Sequence, residues 1–208
     1  MPNRKITNAT PFKTLSRIPD LTGQSHDAES LLEAANIQEK ILDPNVLEFE
    51  TQPLTVSFLH DGKIRRYTPD LLVQYKDREL PEIEEVKPHK KTQTEEFRQW
   101  EAAVRPVLEK TDAAFAIVTD RDLYLEPRLT NLDILFRYLR WPIEEVERRE
   151  VLSWFHSGPL KLGELRRRAA LVKISVGVIF HLLARHELVA DINLPFDAEL
   201  EIRGVKHG

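Results

Sequence analysis

A short apolar run, Leu71-Leu72-Val73, and a second extended stretch, Ile83 to Val86, lie on either side of the polar turn Lys76-Asp77-Arg78. Acids attend both: Asp70 precedes the first run, and Glu84-Glu85 stand within the second. The pattern reads as two strands folded back on each other, the first of them buried. Side chains alternate along a strand, so Glu85 and Lys87 share a face about 7 Å apart while Val86 points to the other. Pro88 removes a ladder donor and stops the strand directly after Lys87. Pairing then sets Asp70 beside that acid and that base, at a strand end that a substrate can reach.

The flanking segments supply layers for such a pair. From Asp27 to Leu42 the positions Leu31, Leu32, Ala34, Ala35, Ile37, Ile41 and Leu42 form a helical stripe that ends at Asp43-Pro44. Glu33 falls at the border of that stripe, either facing a cleft or as an ordinary solvated helix acid. Val46 to Glu50 and Pro53 to His60 read as extended, and Asp61-Gly62 is a hairpin turn whose return strand, Lys63 to Tyr67, leads into Pro69-Asp70. His89 to about Lys110 predicts one helix with Phe97, Trp100, Val104 and Val107 on its packed face. Ala113 to Val118 predicts a strand buried on both faces. Helix, three antiparallel strands, helix and a strand added in parallel make an α/β fold, an α/β/α sandwich with Asp70 and Glu85 near the middle of the sheet.

The character changes near Asn131. Helices are expected around Leu132 to Leu139, Ile143 to Phe155, Lys161 to Ala170 and Ser175 to Glu187, followed by two strands across Pro195-Phe196-Asp197. That order predicts a winged-helix-like domain. Its outward positions Gly177, His181, Ala184 and Arg185 are poor in groove-reading side chains, so protein docking is as strong an expectation as DNA contact. Arg166, Arg167 and Arg168, with Lys90 and Lys91 in the first half, are the candidate phosphate contacts, although most such runs are solvated faces. The expected organisation is a basic arm over 1–22 carrying Arg4, Lys5, Lys13 and Arg17, an α/β domain over 23–128 that holds Asp70, Glu85 and Lys87, and the helical domain over 129–208.

The net charge of −4 is unusual for a chain that handles nucleic acid alone. There are 18 basic against 23 acidic residues up to position 130 and 12 against 11 beyond it, so neither half is a basic domain. A partner that delivers the chain to its substrate is the expectation. With no cysteine, a disulfide framework, a thiolate metal site and a thiol nucleophile are excluded, and oxygen ligands remain. No apolar run approaches the roughly 20 residues of a membrane span, and a soluble, cytoplasmic protein is expected.

Phosphodiester hydrolysis needs an activated water and positive charge on the pentavalent state, and carboxylates holding one or two Mg²⁺ ions supply both. Mg²⁺ keeps several waters, so two acids and a carbonyl suffice as the protein's share. Asp70, Glu85 and the carbonyl of Val86 match that need, with Lys87 placed to stabilise developing charge. The alternative is structural: Asp70 caps a turn, and Glu85 and Lys87 form a solvent-facing ion pair on an edge strand.

The chain also resembles the TnsA endonucleases, a branch of the PD-(D/E)xK restriction-type nucleases. The resemblance rests on Ser30-Leu31-Leu32-Glu33, on Asp43-Pro44-Asn45-Val46 with Gln52-Pro53, on Tyr67-Thr68-Pro69-Asp70, on Glu85-Val86-Lys87-Pro88 and on Ile117-Val118-Thr119-Asp120. It is well marked over residues 26 to 122 and weaker over 131 to 208. It implies a catalytic set of Glu33, Asp70, Glu85 and Lys87, with Glu33 an outer metal or water ligand, Asp70 a bridging ligand and Glu85 a direct one. Glu84 is the competitor for Glu85, and strand parity favours Glu85.

The family role implied is cleavage of the 5′ strands at transposon ends, with Mg²⁺ as cofactor and Mn²⁺ as its substitute. A DDE-type transposase would cut and join the 3′ ends, and an AAA+-type ATPase regulator would contact the C-terminal domain; no membrane is involved. The competing readings are a stand-alone restriction or repair nuclease, a catalytically silent adaptor that keeps the fold for docking, and a winged-helix regulator.

Overall fold

A computed structural model of the chain describes residues 16–205. Arg4, Lys5 and Lys13 of the expected basic arm lie outside the described residues; Arg17 falls within them and pairs with Asp27 at 3.4 Å. The chain divides into two compact units between Leu123 and Tyr124.

The first unit opens with a ribbon of β1 (Ser16–Pro19) and β2 (Ser25–Ala28), antiparallel to each other. Helix α1 (Leu31–Leu42) follows, its first turn capped by Ser30, whose hydroxyl accepts from the Glu33 N–H at 3.1 Å. Next come β3 (Val46–Thr51), β4 (Val56–His60), β5 (Lys63–Tyr67), β6 (Leu71–Tyr75) and β7 (Glu82–Val86). Short α2 (His89–Thr92) and longer α3 (Glu95–Leu108) lead to β8 (Ala114–Val118) and α4 (Asp120–Leu123).

The central sheet runs β3-β6-β7-β8, antiparallel except for the parallel β7–β8 pair, which α3 connects as a crossover. Neighbouring residues of β7 divide the unit into layers. Glu84 reaches Asn36 and Lys40 of α1 on one face, while Ile83 packs with Val104 and Leu108 of α3 on the other.

Three expectations need correction here. Among the described residues the hairpin β4–β5 pairs only with itself, so it stands outside the run of three antiparallel strands, and β3 lies beside β6. Thr68-Pro69 separates β5 from β6, and the proline cannot continue a ladder. Strand β8 is a sheet edge with only Phe115 fully buried, because its outer side has no partner strand among the described residues. The helix expected from His89 to Lys110 is two helices, since the Thr94 hydroxyl accepts from the Phe97 N–H at 3.2 Å and starts α3 afresh.

The second unit contains α5 (Arg128–Tyr138), α6 (Glu145–Ser153), β9 (Leu160–Lys161), α7 (Leu162–Leu171), α8 (Val176–Ala184), β10 (Leu188–Ala190) and β11 (Glu201–Gly204). Its sheet has three antiparallel strands in the order β10-β11-β9, one more than expected. The larger correction concerns α8. Gly177 and Ala184, expected to face outward, are buried, and His181 is half-buried with its Nδ1 3.0 Å from the Tyr138 carbonyl. A Cβ on Gly177 would come within 2.9 Å of the Trp141 indole, so the glycine is what allows Tyr138 and Trp141 to close over this helix. A helix apolar on every side belongs to a core.

Candidate active site

Strand pairing builds the centre of the first unit. Leu71 lies opposite Glu84, which brings Asp70 level with the end of β7, and the Val86 N–H donates to Asp70 Oδ2 at 2.8 Å. Lys87 follows the last residue of β7, and its ammonium turns back into the cluster. Its Nζ lies 2.5 Å from Glu85 Oε1, 3.0 Å from the Val86 carbonyl and 3.5 Å from Asp70 Oδ2. The Tyr67 hydroxyl donates to Glu85 Oε2. Asp70, Glu85, Val86 and Lys87 are therefore brought together, as strand parity required.

Burial decides the electrostatics. Glu85 is 3% exposed, and desolvation, with the nearby charge of Asp70, pushes its carboxyl up to about 7, although Lys87 and Tyr67 pull the other way. Desolvation opposes the charge on Lys87, yet Asp70, Glu85 and the more remote Glu33 outweigh it and hold the ammonium above its ordinary value. Burial, and then the charge of Glu85, drive the Tyr67 hydroxyl upward, which keeps it a proton donor.

Glu33 occupies the first turn of α1. Its Oε2 accepts from the Glu29 N–H at 2.8 Å and its Oε1 from the Ser30 hydroxyl at 3.0 Å. The side chain also lines a hollow of about 530 Å³ together with Asp70, Glu85, Lys87 and Arg66. The border acid is half-buried: it faces the cleft and also caps its own helix, a role the sequence did not suggest. Gln52 completes the wall from a left-handed backbone (φ 51°), with its N–H donating to the Asp70 carbonyl at 2.9 Å and its buried Oε1 lacking a hydrogen-bond partner.

Glu84 belongs to the opposite face. It is 1% exposed and accepts from Asn36 Nδ2 at 2.7 Å and the Tyr75 hydroxyl at 2.9 Å, with Lys40 Nζ at 2.8 Å. Asn36 and Lys40 come from α1 and Tyr75, which also accepts from Lys40, from β6, so Glu84 ties α1 to the sheet and Glu85 is the acid in the cleft. Asn36 and Lys40 had a sequence sign: they recur four residues apart inside an apolar stripe, where a polar pair needs a buried partner.

Among the described residues, no three His, Asp or Glu side chains converge as a ready-made metal group. Two carboxylates meet there, Asp70 and Glu85, and the Lys87 ammonium sits among the three oxygens, from Asp70, Glu85 and Val86, that were expected to hold a cation. The donor set therefore fits a small hard cation: two carboxylates and a carbonyl already gather round one positive charge, and Lys87 stands in its place.

The expected phosphate contacts divide. Lys90 and Lys91 are exposed, and Lys91 lines a second hollow of about 610 Å³ that also reaches Glu85 and Lys87. Arg168, in contrast, is paired with Glu164 one turn back on α7, and Arg166 donates to the Phe196 carbonyl at 3.4 Å, so that basic run is largely engaged within its own unit. Sequence reasoning missed Tyr67 as a site residue, along with Arg65 and Arg66. The visible signal was position alone: the return strand of the hairpin ends on Tyr67, three residues before Asp70.

Residues 43–120 match the family described as TnsA-like endonuclease N terminal. The matched segment contains Asp70, Glu85, Val86 and Lys87, and begins after Glu33. No curated protein matches the chain.

Proposed function

We propose, from the match of residues 43–120 to the TnsA-like endonuclease N-terminal family, that the chain is a metal-dependent DNA endonuclease that cuts the 5′ strands at the ends of a transposon. The observation that carries this reading is the gathering of Asp70, Glu85, the Val86 carbonyl and Lys87 at the open end of β7.

The residues divide the work by their surroundings. Asp70 Oδ2, fixed by the Val86 N–H, and Glu85 Oε1 are the anionic donors that would hold Mg²⁺, with the Val86 carbonyl as the neutral one. When bound there, the cation supplies positive charge against the phosphoryl oxygens and makes a water nucleophilic at neutral pH. Lys87, protonated and next to both acids, orients the attacking water and offsets the negative charge that grows on the phosphoryl group. Tyr67 holds the Glu85 carboxylate in one rotamer. Glu33, at the rim of the same hollow, accepts a hydrogen bond from water entering it.

The second unit fits a docking module of winged-helix-like order. Its α8 lies in the core, which favours partner contact over groove reading. A DDE-type transposase and an AAA+-type ATPase are the partners this reading requires. The net charge of −4 suits an enzyme that is delivered to DNA rather than one that finds it alone.

The partner question is tested by incubating a transposon-end duplex with Mg²⁺ and the full chain, with and without the companion transposase. The reading predicts 5′-strand cuts that depend on the transposase. Efficient cutting of naked duplex without it supports a stand-alone nuclease instead, and no cutting in an otherwise active mixture supports a silent adaptor.

A further inference from the structure

The hairpin β4–β5 stands between the two hollows that meet at Glu85 and Lys87, and its two faces differ. Register pairs Phe58 with Arg65, Leu59 with Ile64 and Ser57 with Arg66, so alternate pairs point to opposite sides. On the inner side Phe58 is 5% exposed and packs with Ile83, Val104 and Leu108, which fixes the hairpin to the sheet and α3. Asp61 and Gly62, with φ 50° and 69°, form a tight turn that projects the tip. On the outer side Leu59 and Ile64 are 67% and 78% exposed, an apolar cross-strand pair that nothing in the unit covers.

Cations lie on both faces of the hairpin: alternation puts Arg66 on the side of Leu59 and Ile64, and Lys63 and Arg65 on the side of Phe58. Lys63, Arg65 and Arg66 are exposed on β5, and Lys91 is exposed at the start of α2. Among the described residues none of them takes part in an ion pair, whereas Arg78, Arg105, Arg148, Arg149, Arg168 and Arg203 all do. Arg66 lines both hollows, and Arg65 and Lys91 line the second. In a chain of net charge −4, unpaired positive charge at the rim of a cluster of carboxylates offsets their repulsion of a polyanion. A two-stranded ribbon fits the major groove of duplex DNA, where apolar side chains meet thymine methyl groups.

We propose that the hairpin β4–β5 is the DNA-binding ribbon of this domain: Lys63, Arg65, Arg66 and Lys91 hold backbone phosphates beside the cut, and Leu59 and Ile64 rest on base edges in the major groove. The proposal rests on the nuclease reading above and names the surface through which that site meets its substrate.

The test is binding of a fluorescein-labelled DNA duplex to the full chain without divalent metal, followed by anisotropy over a salt series. It compares wild type, Arg65→Gln/Arg66→Gln and Leu59→Ser/Ile64→Ser. All the substituted side chains are solvent-exposed, and binding of Mn²⁺ alone, measured in parallel, checks that the site remains assembled. Loss of two phosphate contacts is expected to weaken binding by about tenfold and to lower the salt slope by about 2. The Leu59→Ser/Ile64→Ser variant is expected to bind more weakly with its slope unchanged.

Unchanged affinity and slope in Arg65→Gln/Arg66→Gln overturn the proposal. So does absence of duplex binding by wild type at low salt, or equal competition by polyglutamate or an RNA duplex. The two readings separate cleanly. A chain that binds through the hairpin and never cuts with Mg²⁺ loses the nuclease reading alone, and one that cuts while the arginine variant binds and cuts like wild type loses this one alone.

Discussion

Lys87 Nζ lies 2.5 Å from Glu85 Oε1, and the same ammonium touches the Val86 carbonyl and Asp70. One residue thus serves as internal counter-ion to the acids beside which it is proposed to act. Any cation that takes those oxygens must first displace it.

That displacement has a measurable consequence. Lys87→Met removes the competing charge, so titration of Mn²⁺ into the protein should show affinity higher than wild type by about tenfold or more, the equivalent of roughly 1.4 kcal/mol, while cleavage is lost. Weaker Mn²⁺ binding in Lys87→Met would mean that the ammonium supports the cation site rather than substituting for it.

The buried Glu85 carboxyl gives the metal-free protein a pH signature. Its folded value near 7 lies above the ordinary 4.5, so between those two values the native state binds more protons than the unfolded one. Stability contributed through this group is then greatest below about 4.5 and falls as pH rises to about 7. Denaturant unfolding of wild type against Glu85→Gln should show the difference narrowing or reversing over that window, and saturating Mg²⁺ should flatten it. A wild-type advantage that grows with pH would contradict the assignment.

Tyr67 lowers the Glu85 value through its hydrogen bond, so Tyr67→Phe should move the rising limb of the cleavage pH profile to higher pH without unfolding the protein. An unmoved profile would reduce Tyr67 to packing.

The acid on the other face of β7 behaves differently. Lys40→Met leaves Glu84 1% exposed and short of its ion partner, which should cost about 3–5 kcal/mol in unfolding free energy. The double change Lys40→Met/Glu84→Leu should recover much of that loss, because no buried charge remains. Neither variant should alter Mn²⁺ affinity of the folded protein, since neither residue reaches the cleft.

Which parts were legible follows from what each depends on. Asp70, Glu85 and Lys87 were readable because strand alternation and the stop at Pro88 are local rules, and the same rule put Glu84 on the far side. The Asp61-Gly62 turn was equally local. What Glu84 meets there was not readable, since Asn36 and Lys40 arrive from another element, although their spacing in α1 marked them as buried. The fate of α8 escaped for a related reason: small residues at Gly177 and Ala184 look outward on a wheel, and it is the assembled fold that buries both, with Tyr138 and Trp141 closing over Gly177. The cationic hairpin was seen as a turn and two strands, but exposure, which makes Arg65 and Arg66 available, is a property of the assembled fold.

The most direct test of the central claim is strand-resolved cleavage of a transposon-end duplex by the full chain with Mg²⁺ and its companion transposase, with Lys87→Ala and Asp70→Asn run beside wild type. The account predicts 5′-strand cuts by wild type, none by either variant, and none in the presence of chelator. Undiminished 5′ cutting by both variants would contradict it and place the chemistry elsewhere.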